Sequence, residues 1–272
     1  MKIATVLSAH TDPKLVSDTL DSILHYMTDD VLLSVDGISR EFDDIEFPVY
    51  TMKGFKHGIP RSPYRNVALS LSSLFDIYPK HDWYCYMEYD CLVTSERFKA
   101  NLKMADEKHV WMLGCDGHID DHRIPPMETI LKQPVKKCYY LLGACQFFSG
   151  SFMRRLKEIN FFEQFLELTN RYPEGEVPGY NGYDVSEHMY PSLARQFGGN
   201  IGVFSTWDAG ERKWHGSHEV FPIRWQPEID FETENFKDAS IIHPLKTYTH
   251  PLREFHRKVR YESKRQKHSY SA

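Results

Sequence analysis

The sequence lacks the features that define membrane, secreted and repeat proteins. No run of about 18 apolar residues occurs in it, so it predicts no membrane-spanning helix. It has no CxxC pair and an odd number of cysteines, so we expect reduced, mostly buried thiols in a cytoplasmic protein. The stretch from Met1 to Ser8 lacks the apolar centre of a signal peptide and predicts a first strand. The 272 residues are 41% hydrophobic, which is enough to bury a substantial core.

Acidic residues outnumber basic ones overall, but basic residues are concentrated near the C-terminal end. The formal net charge is −5, yet residues 243–272 contain eight Lys or Arg and only two Glu. This basic segment, predicted to be a helix or tail within 249–272, indicates an anionic partner such as DNA or an anionic lipid. A solvated terminal helix that binds nothing explains it equally well. The predicted helix places three apolar residues on one face: Leu252, Phe255 and Val259.

Alternating strand and helix patterns predict the fold class in the first 95 residues. Ile3–Ser8 and Val31–Val35 read as buried strands. Between them, Thr11-Asp12-Pro13 opens a helix with a side-chain cap and a proline at the first helical position. A helix at Arg65–Tyr78 then leads to an aromatic strand at Trp83–Val93. Strand, helix, strand with short links predicts an α/β fold with a mostly parallel, Rossmann-like sheet flanked by helices.

Residues 96–248 predict a loop-rich second half of the same domain. Its predicted elements are strands at Val110–Cys115, Cys138–Phe148 and Ile201–Ser205, a helix from Ser149 or Ser151 to Leu168, a helix at Asp184–Phe197, and a long surface loop at 116–134. Pro191 lies inside the last helix and should break it, because proline lacks the backbone N–H that a helix interior uses.

The motif with the clearest chemistry is Glu88-Tyr89-Asp90, at the predicted end of the aromatic strand. Side chains alternate along a strand, so Glu88 and Asp90 should share one face while Tyr89 points away. Two carboxylates at a buried strand exit are costly unless a cation lies there. Carboxylate oxygens suit Mg²⁺ or Mn²⁺, which proteins often bind together with a substrate phosphate. The alternative is an acidic turn without a ligand.

Polar residues at other strand exits predict a nucleotide site. Ser8 and His10 follow the first strand and Asp36 the second, and ligands bind beyond the carboxyl ends of such strands. Asp36 is able to accept a hydrogen bond from a ribose or a base, or it belongs to a simple Asp-Gly turn. Arg65-Asn66 opens a helix after a Gly/Pro-rich loop, where a fixed cation would steady a diphosphate. An ordinary surface arginine is the alternative.

Two later segments supply further candidates. His243 follows an apolar pair and offers a nitrogen ligand for Mn²⁺ or Mg²⁺, while Lys246 is placed to meet a phosphate. A capped turn with an exposed histidine is the alternative. Asp184 and Glu187 stand at the start of a predicted helix, where either would serve as a general base. Acidic residues also favour helix starts for purely electrostatic reasons.

The segment Asp116–His122 contains several acidic and histidine side chains and favours a metallohydrolase. Its spacing matches no HExxH-type motif, however, and its context predicts a loop. An exposed polar loop or a contact with an acceptor substrate is the alternative interpretation.

The order of these motifs resembles the GT-A type of nucleotide-sugar glycosyltransferase, closest to the large family 2 group. The resemblance covers roughly residues 1–200 and returns at 241–246. Glu88-Tyr89-Asp90 resembles the family's DXD element, with Glu in place of the first Asp. Ile3–Ser8 resembles the first strand, and Asp36 resembles the acid that contacts the nucleoside.

Four further segments carry the resemblance. Gly58–Asn66 resembles the glycine-to-Arg-Asn segment that opens a helix, and Leu142–Ser149 resembles the strand and turn on the acceptor side. Asp184 falls where the family's catalytic base is expected, with Glu187 as its rival. His243 falls where many members supply a late metal ligand.

The resemblance implies a GT-A fold and transfer of a hexosyl or related group from a nucleoside diphosphate-sugar to a hydroxyl of a saccharide or glycan, with inversion. It implies Mn²⁺ or Mg²⁺ held by Asp90 and His243, and a general base at Asp184 or Glu187. Two alternatives stay open. One is a glycosyltransferase that modifies a hydroxylated base in DNA, gripped by the basic C-terminal segment. The other is a protein that binds nucleotide-sugars without turnover.

Overall fold

In this computed structural model the residues described are 1–35, 37, 39–55, 62–120, 124–135, 137–171, 185–234 and 236–269. The strands are β1 (Ile3–Ala9), β2 (Val31–Val35), β3 (Tyr50–Lys53), β4 (Trp83–Glu88), β5 (Leu92–Val93), β6 (Val110–Gly114), β7 (His118–Asp120), β8 (Cys138–Tyr140), β9 (Cys145–Ser149), β10 (Asn200–Val203), β11 (Ser205–Asp208), β12 (Lys213–Gly216) and β13 (Ile241–Ile242). The helices are α1 (Pro13–Tyr26), α2 (Ser62–Ile77), α3 (Phe98–Glu107), α4 (Pro125–Leu131), α5 (Gly150–Glu158), α6 (Phe161–Asn170), α7 (Val185–Gln196) and α8 (Pro251–Ser269).

The centre of the molecule is a seven-stranded sheet in the order β10-β6-β9-β4-β1-β2-β3. Within it, β9 runs antiparallel to its two neighbours and the other strands run parallel to one another. Successive side chains of β4 enter two different hydrophobic clusters, Trp83 and Cys85 on one face and Tyr84 and Tyr86 on the other. Both faces of the sheet are therefore covered, which explains the nearly continuous apolar strands. The predicted α/β fold with a mostly parallel, Rossmann-like sheet is confirmed; its assignment to the GT-A type stays a prediction.

The first helix begins as its sequence predicts. Asp12 is the N-cap residue, and its Oδ1 atom accepts a hydrogen bond of 3.1 Å from the backbone N–H of Leu15. Pro13 occupies the first helical position, where its missing N–H leaves no hydrogen bond unmade. This start fixes the direction in which α1 leaves the end of β1.

The aromatic strand is shorter than predicted, and this difference matters for the site. It ends at Glu88, where the N–H of Cys91 donates to the carbonyl of Glu88 at 3.1 Å and closes a turn. Leu92-Val93 then forms β5, which pairs with β13 outside the main sheet. The expectation that Glu88 and Asp90 share a strand face is therefore wrong, because a turn rather than strand alternation places them.

The second half also contains more breaks than predicted. Cys138–Phe148 is two strands, β8 and β9, separated by the segment 141–144, and the predicted loop at 116–134 contains β7 and α4. The predicted helix from Ser149 to Leu168 is interrupted at Asn160, whose φ of 51° is left-handed. Local hydrophobicity indicates that these stretches are buried, but it does not show where the backbone turns.

Pro191 does not break α7, contrary to the prediction. A proline removes the hydrogen bond to the carbonyl four residues earlier, which here belongs to Glu187. The N–H of Leu141 donates to that carbonyl at 3.0 Å instead. A neighbouring segment thus satisfies the group that the proline leaves open, and the helix continues.

The C-terminal helix α8 packs on α1 through charged residues. Its buried side chains are Leu252, Arg253, His256 and Arg260. Phe255 and Val259 were predicted to share the apolar face with Leu252, but they are 37% and 38% exposed. The predicted face is wrong because the arginines find buried carboxylate partners on α1.

All five cysteines are buried and none of them forms a disulfide, which confirms the expectation about the thiols. No helix in the described part of the chain has both the length and the apolar composition needed to cross a bilayer.

Candidate active site

The short pairing of β5 with β13 builds the candidate site. Leu92 lies opposite Ile242, and Val93 lies opposite Ile241. His243 directly follows β13, so the pairing brings it to the turn that carries Glu88 and Asp90. The N–H of Leu245 donates to the carbonyl of Asp90 at 2.9 Å and holds the two segments together beyond the strands.

The three side chains converge on one point. The Nε2 atom of His243 lies 3.2 Å from Oδ1 of Asp90 and 3.8 Å from Oε2 of Glu88. The side chains of His243 and Asp90 are 2% and 9% exposed, while that of Glu88 is 34% exposed and opens the cluster to solvent. Oδ1 of Asp90 is buried and, among the described residues, it faces Nε2 of His243 in an ion pair but has no well-aligned hydrogen bond. A buried carboxylate oxygen left in this way calls for a cation or a proton donor.

The orientation of the His243 ring fits a metal ligand. Its Nδ1 atom donates to the backbone carbonyl of Arg224 at 2.7 Å, because a carbonyl can only accept. The Nε2 atom is therefore the one that faces the carboxylates, as in histidines whose second nitrogen binds a metal. Asp90, His243 and the thiol of Cys91 place their ligand atoms within 4.8 Å of one another. Carboxylate and imidazole groups suit Mn²⁺, so the predicted ligands Asp90 and His243 fit such an ion.

The electrostatics of the cluster show shared charge. Although the Glu88 side chain is 34% exposed, its partial burial and the neighbouring Asp90 carboxylate raise the pKa of Glu88 to about 7. Burial opposes ionisation of Asp90, but His243 and Arg253 outweigh it and lower the pKa of Asp90. Burial disfavours the charged ring of His243, yet the two carboxylates outweigh it and raise the pKa of His243. The cluster thus favours positive charge at its centre.

The predicted nucleotide residues on β1 lie beside this cluster. Ser8 is paired with Glu88 in the register of β1 and β4. The ring of His10 meets the ring of Tyr89 edge to face, with the centroids 4.8 Å apart. Asp36 lies outside the described residues. Ser34, two residues earlier on β2, pairs with Ser8.

Asn66 and Arg65, near the start of α2, contact Phe55 just beyond the end of β3. The side-chain amide of Asn66 brackets Phe55, since its oxygen accepts from the N–H of Phe55 and its nitrogen donates to the carbonyl at 3.1 Å. The carbonyl of Phe55 in turn accepts from the N–H of Gly37 at 3.3 Å. The guanidinium of Arg65 lies 3.6 Å from the centroid of the Phe55 ring and donates to Asn170. These contacts brace the backbone on both sides of the strand exit, and a ligand role for either residue stays a prediction.

Lys246 stands at the edge of the cluster. Its backbone N–H donates to Glu228, and its ammonium group is near enough to Glu88 to oppose the rise in the pKa of that carboxyl group. A phosphate that approaches the carboxylate turn therefore meets a positive charge there.

The two candidate bases differ in what the structure describes. Asp184 lies outside the described residues. Glu187 accepts a hydrogen bond from the N–H of Gly143 through Oε1. The next residue, Ala144, accepts from the N–H of Glu88 at 2.9 Å through its carbonyl. The segment 141–144 therefore links Glu187 to the carboxylate cluster, with Gly143 bonded to Glu187 and Ala144 bonded to Glu88. The Glu187 carboxylate helps to fix this segment.

Two residues that sequence analysis missed support the site. Arg224 is buried, donates to both oxygens of Glu234 at 2.7 Å, and offers its carbonyl to His243. Arg253 is fully buried and donates to the carbonyls of Cys91 and Leu245. In the sequence both look like surface cations, and only their burial identifies them.

The Asp116–His122 segment serves a structural purpose in the part described. Oδ1 of Asp116 accepts from the N–H of Trp207 at 2.9 Å, and the ring of His118 stacks on Tyr140. A second possible metal-binding group, Asp208, Glu211 and His215, lies on the β11–β12 hairpin and is mostly exposed.

Several basic residues of α8 form ion pairs within the molecule. Asp18 forms ion pairs with Arg253, Arg257 and Arg260, and Asp21 pairs with Arg260 and Lys264. Four of the predicted tail cations thus already face carboxylates of α1. Binding of DNA or lipid by this segment stays a prediction.

Comparison with known proteins adds little to this geometry. No protein-family model matches the sequence, and no curated protein matches it. Among solved structures, the chain is similar to a glycosyltransferase involved in the glycosylation of the major capsid of PBCV-1. The likeness covers 95% of this chain and 100% of that one, at 12% identity and a TM-score of 0.49. A likeness of this level supports no inference about residue roles or substrate.

Proposed function

We propose that the protein is a metal-dependent glycosyltransferase that moves a sugar from a nucleoside diphosphate-sugar to a hydroxyl of a saccharide or glycan, with inversion. The observation that carries the proposal is the convergence of Glu88, Asp90 and His243 at the carboxyl end of β4. Residues distant in sequence meet there, and a buried carboxylate oxygen of Asp90 faces the Nε2 atom of an imidazole whose Nδ1 is held by a backbone carbonyl. Open α/β sheets bind their ligands at this edge.

In this proposal Asp90 and His243 hold Mn²⁺ or Mg²⁺. When bound, such an ion would neutralise negative charge that develops on the leaving diphosphate. Lys246 attracts the phosphates to the same edge, and Glu88, the more exposed carboxylate, accepts from a hydroxyl of the donor. Ser8 lies next to Glu88 on the neighbouring strand and belongs to the same surface.

Four other residues complete the donor site in the proposal. His10 packs on Tyr89 and extends the surface beyond β1. Asp36 contacts the nucleoside where β2 ends, while Asn66 and Arg65 brace that exit.

Asp184 and Glu187 are the two candidates for the general base, and they differ in whether the carboxylate is engaged in a structural hydrogen bond that the structure describes. A base must be free to accept a proton from the acceptor hydroxyl. Glu187 already accepts from the N–H of Gly143, so its Oε1 atom is engaged in holding the 141–144 segment. We therefore assign the proton transfer to Asp184 and the positioning of the 141–144 segment to Glu187.

A thermal-shift screen of nucleoside diphosphates and their sugars, with and without Mn²⁺, tests the donor site. We expect one nucleotide with Mn²⁺ to raise the melting temperature, and Asp90→Asn to abolish the rise. The matched control is Asp208→Asn, in the second acidic group, which should leave the rise intact. Absence of a shift with every nucleotide would overturn the proposal.

Turnover separates a transferase from a protein that only binds nucleotide-sugars. The donor that gives the largest shift should release free nucleoside diphosphate when Mn²⁺ and a saccharide acceptor are present. Binding without release under these conditions would favour the binding protein. Release stimulated by duplex DNA with hydroxylated bases, rather than by a saccharide, would favour the DNA-modifying alternative.

A further inference from the structure

We infer that Arg253 is the positioning residue of the candidate metal centre, and that α8 is therefore part of that centre rather than an appended tail. The inference rests on the proposed function, because it names a residue that holds the proposed ligands in place. Among the described contacts, Arg253 forms no hydrogen bond with either ligand side chain, although its charge also acts on Asp90. Its positioning role is exerted through the backbone of the two segments that carry Asp90 and His243.

The guanidinium of Arg253 joins those two segments directly. Its Nη2 atom donates to the carbonyl of Cys91 at 2.8 Å, one residue after Asp90. Its Nε atom donates to the carbonyl of Leu245 at 3.1 Å, two residues after His243. A planar guanidinium presents these donors in a fixed geometry, so the separation of the two carbonyls is set by one rigid group.

The same guanidinium is itself held from behind. Its Nη1 atom donates to Oδ2 of Asp18 at 2.9 Å and to the hydroxyl of Thr19 at 3.1 Å, both on α1. The Thr19 oxygen also lies 2.6 Å from the carbonyl of Tyr89 and 2.9 Å from that of Cys91. Arg253 is 0% exposed, so water does not compete for these bonds. α1, the carboxylate turn and the His243 segment therefore meet on one side chain.

Arg260 provides an internal comparison. It is also buried on α8, and it also pairs with Asp18 and with Asp21. Among the described contacts, Arg260 forms no hydrogen bond with the carbonyl of Cys91 or of Leu245. Loss of Arg260 should therefore weaken the packing of α8 on α1 to a similar extent, while the two ligand-bearing segments keep their link.

The test compares Arg253→Met, Arg253→Lys and Arg260→Met in the full chain. Mn²⁺ affinity is measured by the loss of the free-ion electron paramagnetic resonance signal, at a temperature well below the melting temperature of every variant. Both methionine variants should lower the melting temperature. Asp18 keeps arginine partners in either variant, so neither leaves that buried carboxylate unpaired.

We expect Arg253→Met to weaken Mn²⁺ binding about 10-fold, which is at the lower end for loss of a group that orients metal ligands. Arg253→Lys keeps the charge but not the fork, and should recover only part of the loss. Arg260→Met should change the affinity less than about twofold. If the Arg253 variants do not fold, Thr19→Val, which removes the hydroxyl beside the Cys91 carbonyl, should weaken Mn²⁺ binding in the same direction.

The outcomes separate this inference from the function on which it rests. Equal Mn²⁺ affinity in the wild type and in Arg253→Met, or equal losses in Arg253→Met and Arg260→Met, would overturn the positioning role and leave the transferase proposal standing. Absence of Mn²⁺ binding by the wild-type protein, with or without a nucleotide, would overturn both.

Discussion

The backbone carbonyl of Arg224 accepts a hydrogen bond of 2.7 Å from Nδ1 of His243 and so decides which nitrogen of that ring faces the carboxylates. The Arg224 side chain is itself fixed, because its guanidinium bonds both oxygens of Glu234 and the carbonyls of Pro227 and Glu228. A bidentate arginine pair thus holds the loop that orients the proposed metal ligand.

His243→Gln should lower Mn²⁺ affinity at least about 10-fold, because the amide replaces an imidazole ligand poorly. The matched control is His250→Gln. His250 is also a buried histidine that bonds a backbone carbonyl, that of Ile229, at 2.9 Å. Its substitution should cost stability without changing Mn²⁺ binding. Isothermal titration of each variant with Mn²⁺ measures the difference, and equal losses in both would argue against His243 as a ligand.

Glu187→Gln should retain most turnover, because a glutamine oxygen still accepts from the N–H of Gly143. Glu187→Ala leaves that N–H without its acceptor and should lower the free energy of unfolding by about 1–3 kcal/mol.

Asp184→Asn should lower kcat by about 10²-fold or more while nucleotide binding is kept. Steady-state kinetics and chemical denaturation give both quantities. A large loss of kcat in Glu187→Gln would move the base to Glu187.

His256 should make the protein less stable in mild acid. Burial, with the nearby Arg260 charge, lowers the pKa of His256 to about 4, and neither ring nitrogen has a hydrogen-bond partner in the part of the chain that the structure describes. Between this value and an unfolded pKa of about 6.5, the unfolded chain binds the proton that the folded protein excludes. Stability therefore falls as the pH falls from about 6.5 towards 4, by at most about 1.4 kcal/mol per pH unit.

His256→Met should remove this contribution and leave the fold intact, since no hydrogen bond of the ring is lost. Urea unfolding at several pH values measures the effect as the difference between the variant and the wild type. The free energy of unfolding of the variant, minus that of the wild type, should become more positive as the pH is lowered. A value that stays constant between pH 7 and pH 4 would contradict the prediction.

Trp225 should contribute to acceptor binding. It is 59% exposed, although it directly follows the anchored residue Arg224 and so lies on a loop that is held in place. Arg224 also offers its carbonyl to His243, and an exposed indole next to it in the sequence is suited to stack on a sugar ring. Trp225→Ala should raise the KM for a saccharide acceptor several-fold without changing the melting-temperature rise that the nucleotide and Mn²⁺ produce. Tyr261→Ala, at an equally exposed aromatic residue on α8, is the control and should have no effect on either quantity.

The sequence predicted the elements whose signals are local. The cap at Asp12, the strand at Val31–Val35 and the alternation that gives an α/β fold all follow from neighbouring residues, and the structure confirms them. Glu88, Asp90 and His243 were also selected from the sequence, and the structure brings them together. Their predicted roles in binding metal and donor stay predictions.

What the sequence did not predict depends on contacts between distant segments. Nothing near Cys91 indicates that the strand turns there to pair with Ile241-Ile242. The sequence predicts a helix break at Pro191, but the N–H of Leu141, on another segment, donates to the Glu187 carbonyl that the proline leaves without a donor. A local pattern does not contain that contact. From the sequence, the arginines of α8 indicate either an anionic partner or a solvated helix, since their partners Asp18 and Asp21 lie far away on the first helix.

The pairing of β5 with β13 has a consequence for how the protein is made. A ribosome synthesises the chain from its N-terminus, so every strand of the central sheet has emerged before residues 241–253 are translated. A nascent polypeptide, or one shortened by proteolysis before residue 241, would contain the carboxylates of Glu88 and Asp90. It would lack both His243 and Arg253. The catalytic competence proposed here would thus be acquired late in biosynthesis, after the nucleotide-binding half has been completed.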